Sequence, residues 1–314
     1  MQILRTPDEH FENLAGYPFE PHYLEIPDGE GQGGTLRVHY VDEGPRDADP
    51  VVFLHGNPTW SYLWRQIIPP VVAAGWRAIA FDLVGTGRSD KPSEMRDYSV
   101  ARHVEWMRAA IVDALDLRDL SFVLHDWGGI IGLRILGLHE DRIARVCISN
   151  TGLPVRDPAE PLPAGADEPA GPLAGFQKMV RENPDWPHWE MLQALTLADL
   201  PQEVVDGFHA PYPEPRYVVA NRQFTQLLPT TADNPMYPAN WEAWQVLQKF
   251  ERPFLTLFSD KDQVAPNGHL QFRDAVPGAA GQPHTVLEGG SHFLQEDVPD
   301  AYAQVLVNWL ESTR

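Results

Sequence analysis

The sequence has a single cysteine and no long hydrophobic run. Cys147 has no partner within the chain, so an intramolecular disulfide is excluded, and its setting in ARVCISN is typical of a buried strand residue. No stretch reaches about 18 uninterrupted apolar residues, and the N-terminal MQILRTPDEHFENL lacks the apolar core of a signal peptide. We therefore expect a cytoplasmic protein without a membrane span.

Basic residues are also scarce, since 24 Lys and Arg stand against 44 Asp and Glu and give a formal net charge of −20. A surface this acidic repels phosphate backbones and anionic lipids, so nucleic-acid and membrane-surface binding are disfavoured. The histidines and the cysteine form no clustered ligand pattern, and we predict no metal and no cofactor. We expect a monomer or a small homo-oligomer that acts on a small molecule.

Short apolar runs alternate with longer helical patterns along most of the chain. This alternation predicts an α/β fold, with a parallel sheet and helices on both of its faces. A crossover helix is predicted over SVARHVEWMRAAIVDALDL, whose apolar residues recur at spacings of three or four. These residues are Val104, Met107, Ile111 and Leu115. The strand patterns are TLRVHYVDEG, VVFLHG, RAIAFDLVG, SFVLHDWGG, ARVCISN, PFLTLFSD and HTVLEGGSH.

The alternating pattern is interrupted in the middle of the chain. After residue 153, prolines, acidic residues and aromatics replace it, and a helical pattern resumes at Asn240–Lys249. We predict one core domain formed by residues 1–153 and 230–314. Residues 154–229 are predicted to form a helical cap inserted into that core.

The segment VLHDWGGIIGLRIL carries the first candidate for chemistry. Gly128 and Gly129 permit a sharp turn between a strand and a helix, and Asp126 lies at its apex. Backbone N–H groups and a helix N-terminus favour an anion there. Because a carboxylate is already ionised at neutral pH, Asp126 suits nucleophilic attack on a saturated carbon that bears a leaving group. The competing interpretation is a helix N-cap.

A base and its orienting acid are predicted further along the chain. His292 follows the last strand pattern, in LEGGSHFLQED, where catalytic groups of open parallel sheets gather. It would activate water to hydrolyse the ester formed on Asp126. In LFSDKDQV, either Asp260 or Asp262 could orient the imidazole, and the other is then a turn residue.

Two further residues could stabilise negative charge. Asn57, in HGNPTW, follows a strand, so its backbone N–H can face an oxyanion and its side-chain amide an anion. Trp127 offers a second backbone N–H and an indole N–H that could solvate a departing halide. An Asx-turn and plain core packing are the respective alternatives. In the loop DLVGTGRSDKP, Asp82, Arg88 and Asp90 are predicted to have structural roles.

Taken together, the motifs resemble those of the haloalkane dehalogenases from the N-terminus to the last helix. The resemblance implies an eight-stranded α/β-hydrolase core under a helical cap. It makes Asp126 the nucleophile, His292 the base and Asp262 the acid, with Trp127 and Asn57 as halide ligands and backbone oxyanion donors. The matching motifs are RTPDEHFENL, YPFEPHYL, VHYVDEGP, HGNPTWSYLWR, GRSDKP, HDWGG, HAPYPEPRY and GGSHFLQED.

The chain departs from the family pattern in its halide ligands. Relatives with this N-terminus usually carry glutamate where Asn57 stands, and a second halide-binding tryptophan three residues after a cap phenylalanine. Here Met179 takes that place after Phe176, and methionine has no N–H to donate. Trp186 or Trp189 could substitute, although amphipathic packing of a cap helix is the favoured interpretation of both.

One more position distinguishes this chain from some relatives, which place the acid after the strand ending in CISN. The matching residue here is Asn150, which cannot ionise, and this supports Asp262 as the acid.

The predicted activity is hydrolysis of a small halogenated hydrocarbon to an alcohol, with halide as the other product. The main alternative is an epoxide hydrolase, which would use the same three residues and cap tyrosines from Tyr212, Tyr217 and Tyr237. A relative that only binds ligands is the third possibility, because fold alone does not prove catalysis. The complete Asp, Asp and His set argues against it.

Overall fold

The computed structural model describes residues 1–183 and 187–314, apart from the side chains of His188 and Trp189. Within these residues, eight strands form one sheet and two short strands pair separately. The strands are β1 (Ile3–Leu4), β2 (His22–Pro27), β3 (Thr35–Glu43), β4 (Pro50–Leu54), β5 (Arg77–Phe81), β6 (Lys91–Pro92), β7 (Leu120–His125), β8 (Ile143–Ser149), β9 (Phe254–Ser259) and β10 (Thr285–Leu287). The α-helices are α1 (Ile68–Ala73), α2 (Val100–Arg108), α3 (Trp127–Leu138), α4 (Gly171–Glu182), α5 (His188–Ala194), α6 (Gln202–His209), α7 (Val219–Leu227), α8 (Tyr237–Leu247), α9 (Gly268–Ala275), α10 (Leu294–Asp297) and α11 (Pro299–Ser312).

The large sheet is mostly parallel, as predicted. Its order is β10-β9-β8-β7-β4-β5-β3-β2, and the pairs β5–β3 and β3–β2 are antiparallel. Each of the seven predicted strand patterns contains a strand. The eighth strand, β2, was missed because its sequence HYLEIP lacks a clear alternation and it lies at the edge of the sheet, where only Ile26 is fully buried.

The core is divided by the sheet into two apolar clusters. In β4, Val52 and Leu54 point to one cluster, whereas Val51 and Phe53 point to the other. This split follows from the period of two in a strand, and burial on both faces explains why β4 is a continuous apolar run. Helices α2, α3 and α8 pack together on one face, and α1 and α11 on the opposite face.

The predicted crossover helix is confirmed. It begins after Ser99, whose hydroxyl accepts the Arg102 N–H at 3.2 Å, and beyond α2 it continues as a π-helical turn over Ala109–Ala114. The predicted inner face is buried at Val104, Met107 and Ile111, and Leu115 packs partly buried against the same cluster.

Between β8 and α8 the described residues contain helices α4 to α7 and no strand. This agrees with a helical insertion, although the boundaries of a cap at residues 154 and 229 stay a prediction. The helix predicted at Asn240–Lys249 begins three residues earlier, at Tyr237, because Pro238 fits the first turn of a helix. In the described part of the chain, no helix has both the length and the apolar character needed to cross a bilayer.

A buried histidine of α2 lies among the aromatic rings of Tyr98, Trp106 and Phe224. His103 is 1% exposed and stacks on Phe224 with ring centroids 4.4 Å apart, and neither ring nitrogen has a partner among the described residues. Burial lowers the pKa of His103 to about 3. The folded protein therefore binds fewer protons at this site than the unfolded chain, and its stability falls as the pH drops from about 6.5 towards 3.

We expect His103→Phe to stabilise the protein, because phenylalanine keeps the stacking and removes two unsatisfied polar atoms. The gain in unfolding free energy should be about 1 kcal/mol at pH 7 and roughly 2 kcal/mol larger at pH 5. Urea titrations at both pH values measure it. His10→Gln, at an exposed position, serves as the control. A gain that is the same at both pH values would contradict the protonation argument.

Candidate active site

The site lies at the carboxyl edge of the sheet, where β7 gives way to α3. Asp126 stands between them with φ 49° and ψ −120°, a conformation that is strained for a residue with a side chain. Close packing imposes this turn. A Cβ atom on Gly128 would lie 2.2 Å from the Leu54 carbonyl oxygen, and one on Gly56 would lie 2.1 Å from Asp126 Oδ1. Gly56 thus lets the backbone after β4 approach the carboxylate, and Gly128 lets the start of α3 pack against the end of β4.

The carboxylate of Asp126 is not a helix cap, since it makes no capping bond to α3. Its Oδ1 accepts the backbone N–H of Asn57 at 2.8 Å, and the backbone N–H of Trp127 also binds the carboxylate. Burial raises the pKa of Asp126, but the contact with His292 and these N–H groups outweigh burial and hold it below its ordinary value. Asp126 is therefore ionised at neutral pH.

His292 and Asp262 complete a line of three side chains. His292 Nε2 lies 3.6 Å from Asp126 Oδ2, and His292 Nδ1 lies 2.9 Å from Asp262 Oδ1. Asp262 also accepts the backbone N–H groups of Val264 and Ala265, at 2.9 and 3.1 Å. The aspartate that touches the imidazole is thus fixed from the other side.

Asp260 and Asp262 both follow β9, and it is Asp262 that contacts His292. Asp260 Oδ1 accepts the Gly289 N–H at 2.9 Å, and its other oxygen pairs with Lys261 on the surface. Asp260 is therefore a turn residue.

The two carboxylates control the protonation of His292. Burial lowers its pKa, but hydrogen bonding and attraction from Asp126 and Asp262 outweigh burial and raise the pKa to about 9. At neutral pH the ring is an imidazolium between two carboxylates. Loss of either negative charge would lower this pKa and release the proton.

Two buried side chains that the sequence analysis did not assign to the site hold the loop of His292. His125 Nε2 lies 2.8 Å from the His292 carbonyl oxygen, and the Asn150 amide donates to the same oxygen at 3.0 Å. Asn150 also donates to the Ser291 carbonyl at 2.8 Å. Burial and the charge of His292 lower the pKa of His125 to about 4, so this ring is neutral and its Nε2–H is the donor. Both residues lie at the carboxyl end of a strand, His125 at the end of β7 and Asn150 just after β8. This position was the signal by which the sequence could have indicated them.

Asp126, His292, Trp127 and Asn57 all line one cavity of about 580 Å³. Trp127 is 2% exposed and Asn57 7%, and no described residue accepts a hydrogen bond from the Trp127 indole N–H or from the Asn57 side-chain amide. Trp127 and Asn57 therefore bring an indole N–H and a side-chain amide to the cavity that contains the carboxylate, with no acceptor for either among the described residues. The rest of the wall is mostly apolar and comes from Leu173, Phe176, Pro187, Glu190, Met191, Ala194, Leu195, Thr225, Leu228, Gln263 and Val264.

The place expected for a second halide-binding tryptophan does not face the cavity. Met179 is 48% exposed on the outer side of α4, whereas Phe176 and Leu173 of the same helix line the wall. Trp186 lies outside the described residues, and so does the side chain of Trp189. Neither can be compared with the prediction.

The three cap tyrosines do not line the cavity. Tyr212 and Tyr217 are buried in a separate apolar cluster with Val218 and Leu4, and burial raises the pKa of Tyr212. Tyr237 borders a different surface cleft. The described residues that line the cavity therefore include no tyrosine that could protonate the oxygen of an epoxide bound next to Asp126.

The loop after β5 is held by buried polar contacts, which agrees with its predicted structural role. Asp82 accepts from His39 Nδ1 at 2.7 Å, the Ser61 N–H at 2.8 Å and the Arg88 N–H at 2.7 Å. Burial raises the pKa of Asp82, but His39, His55 and the contact with Ser61 together lower it below its ordinary value. Asp90 forms a two-bond ion pair with Arg5 of the N-terminal segment.

Comparisons with known proteins agree with this architecture. Residues 49–299 match a family model described as the α/β-hydrolase fold. A haloalkane dehalogenase from Psychrobacter cryohalolentis is 45% identical over 99% of this chain and 98% of its own, and haloalkane dehalogenase 1 from Mycobacterium bovis is 43% identical over the full length of both. The haloalkane dehalogenase DpaA from Paraglaciecola agarilytica NO2, described as tetrameric, superposes with a TM-score of 0.84 at 30% identity and 99% coverage of both chains. The chain therefore belongs to the haloalkane dehalogenase family, hydrolases that act on carbon–halogen bonds.

Proposed function

We propose that Asp126 attacks the halogen-bearing carbon of a small haloalkane and forms a covalent alkyl ester. Oδ1 is engaged by the Asn57 N–H, so Oδ2 is the attacking oxygen. The new bond joins this oxygen to carbon as the carbon–halogen bond breaks, and the halide leaves with its electron pair. The observation that carries the proposal is the ionised carboxylate, fixed by two backbone N–H groups, in a mostly apolar cavity.

His292 becomes able to act as a base in ester hydrolysis because ester formation changes the charge next to it. Ester formation neutralises Asp126, which removes one of the two attractions that raise the histidine pKa to about 9. The ring then loses its proton to solvent and takes one from a water molecule, whose oxygen adds to the Asp126 carbonyl carbon. Asp262 stabilises the imidazolium, and the Asn57 and Trp127 N–H groups bind the oxyanion. Breakdown of this intermediate breaks the bond between the carbonyl carbon and the alkyl oxygen. The alkoxide takes the proton of the new Asp126 hydroxyl, which releases the alcohol and restores the carboxylate.

Halide stabilisation is assigned to the Trp127 indole N–H and the Asn57 amide, which lack described protein acceptors. Helices α4, α5 and α7, within the predicted cap 154–229, supply much of the cavity wall and would keep the leaving halide away from bulk water. No described feature favours epoxide opening, because the cap tyrosines lie away from the cavity.

The experiment that tests the function is halide release from 1-bromobutane and 1-chlorobutane, with styrene oxide hydrolysis measured in parallel. Bromide and butanol in equal amounts are the expected products. Diol formed from the epoxide without any halide release would overturn the proposal.

Replacing Trp127 by phenylalanine should weaken halide stabilisation, because the ring is retained while the N–H donor is lost. We expect kcat/KM to fall by about 10²-fold, and more for 1-chlorobutane than for 1-bromobutane, since chloride is the poorer leaving group. Steady-state halide release measures this. Trp241→Phe removes an indole in α8 that does not line the cavity and is the control. An unchanged chloride-to-bromide ratio would contradict the assignment.

The cavity should discriminate against anionic substrates. Glu190 lines its wall, no described lysine or arginine does, and the chain carries a net charge of −20. We expect kcat/KM for 6-bromohexanoate to lie about 10-fold or more below that for 6-bromohexan-1-ol, with the gap between the two values narrowing at high salt. Glu190→Gln should raise only the value for the anion, and Glu182→Gln, at an exposed position, should not. Equal effects of Glu190→Gln on both substrates would count against this.

A further inference from the structure

A single carboxylate joins the cap side of the cavity to the loop that carries His292. Asp297 Oδ1 accepts the backbone N–H groups of Leu197 and Ala198, at 2.7 and 2.8 Å. Its Oδ2 accepts the backbone N–H of Ser291, the residue before His292, at 2.7 Å. The two oxygens thus bind two different segments, nearly 100 residues apart in sequence.

A backbone contact reinforces this connection in the opposite direction. The Phe293 N–H donates to the carbonyl of Leu195 at 3.4 Å. Leu195 directly follows α5 and lines the cavity, as do Met191 and Ala194 within that helix. Phe293, after His292, thus contacts the end of α5 directly, whereas Ser291, before His292, is connected to the segment beyond α5 through Asp297.

The contacts at Asp297 are suited to fixing a position. Hydrogen bonds from backbone N–H groups to a carboxylate are short and about twice as strong as those between neutral groups. Three of them converge on one short side chain, which has few rotamers. Removing the carboxylate would leave three N–H donors without this partner and free the two segments to shift relative to each other.

We propose that Asp297 is a positioning residue that couples the cavity wall at α5 to the placement of His292. This inference rests on the proposed function, because only ester hydrolysis uses His292 as a base. Attack of Asp126 on the haloalkane does not require proton transfer, whereas hydrolysis requires alignment of Nε2, water and the ester carbon. Loss of the carboxylate should therefore slow the second chemical step and leave the first nearly unchanged.

The test uses the full-length protein with 1-bromobutane, rapid quenching and mass spectrometry of the alkylated enzyme. For Asp297→Ala we expect hydrolysis to slow by about 10- to 100-fold, so the alkylated fraction at steady state rises above that of the wild type. The initial rate of bromide release per active site should stay near the wild-type rate.

Asp297→Asn provides a second variant that retains the fold in case Asp297→Ala fails to fold. Asparagine retains one acceptor oxygen, so it preserves the contact with either the cap segment or Ser291 but not both. We expect an intermediate hydrolysis defect. Asp300→Asn, exposed in the first turn of α11, should match the wild type.

The outcomes separate this inference from the proposed function. If the wild type releases no bromide, the proposed function fails. If the wild type turns over and both Asp297 variants hydrolyse the ester at its rate, or if both steps slow by the same factor, then Asp297 does not position the base and the inference is overturned.

Discussion

Halide release is expected to disappear when Asp126 is replaced by asparagine, with kcat/KM for 1-bromobutane falling by at least about 10⁴-fold. An amide is a poor nucleophile, and Asp262 cannot replace Asp126, since it is 5% exposed and engaged by His292, Val264 and Ala265. Asparagine also tolerates positive φ, so it keeps the strained turn better than alanine would.

Asp116→Asn provides a matched control for this substitution. Asp116 also has a positive φ, of 44°, but its side chain is 61% exposed and pairs with surface arginines. This variant should release halide at the wild-type rate. If Asp126→Asn kept more than a small fraction of activity in freshly purified protein, the covalent mechanism would be wrong.

The second large effect is expected from His292→Gln, which should trap the enzyme as its alkyl ester. Glutamine cannot accept a proton from water, but attack by Asp126 does not need one. We therefore expect one equivalent of bromide per active site, no further turnover, and a mass increase equal to the butyl group. Acid-quenched protein analysed by mass spectrometry measures the ester directly.

The pH dependence of the wild type checks the same assignment. The His292 pKa is about 9 in the free enzyme and should fall once Asp126 is esterified, so ester hydrolysis should rise with pH through an apparent pKa below 9. His284→Gln, a partly buried histidine outside the cavity, should keep full turnover. Turnover by His292→Gln at the wild-type rate would show that the base lies elsewhere.

Protonation of His292 also links activity to stability. Its pKa in the folded protein, about 9, lies above the ordinary value of 6.5. The folded state therefore binds the proton more tightly than the unfolded chain, so this stabilisation is complete below about pH 6.5 and is lost as the pH rises through 9. At neutral pH most of it is present, in the form of an imidazolium between two carboxylates.

The sequence by itself determined the fold class and the chemical groups of the candidate site. Apolar runs buried on both faces of a sheet leave a strong local pattern, and a nucleophile on a glycine-rich turn is readable because the turn needs those glycines within a few residues. His292 could also be predicted from a local pattern, because it follows a strand and therefore lies at the edge where the parallel strands end.

Only the tertiary structure decided the contacts between distant segments. It turned Met179 away from the cavity and placed His125 against the His292 carbonyl. It also showed the contact of Asp262 with His292, which the residue pattern alone left open between Asp260 and Asp262 and only the family resemblance had assigned. It also joined Asp297 to Leu197 and Ala198. These contacts depend on how loops and helices pack at the end of the sheet, over sequence separations of 30 to 167 residues, and local residue patterns carry no information about such distances.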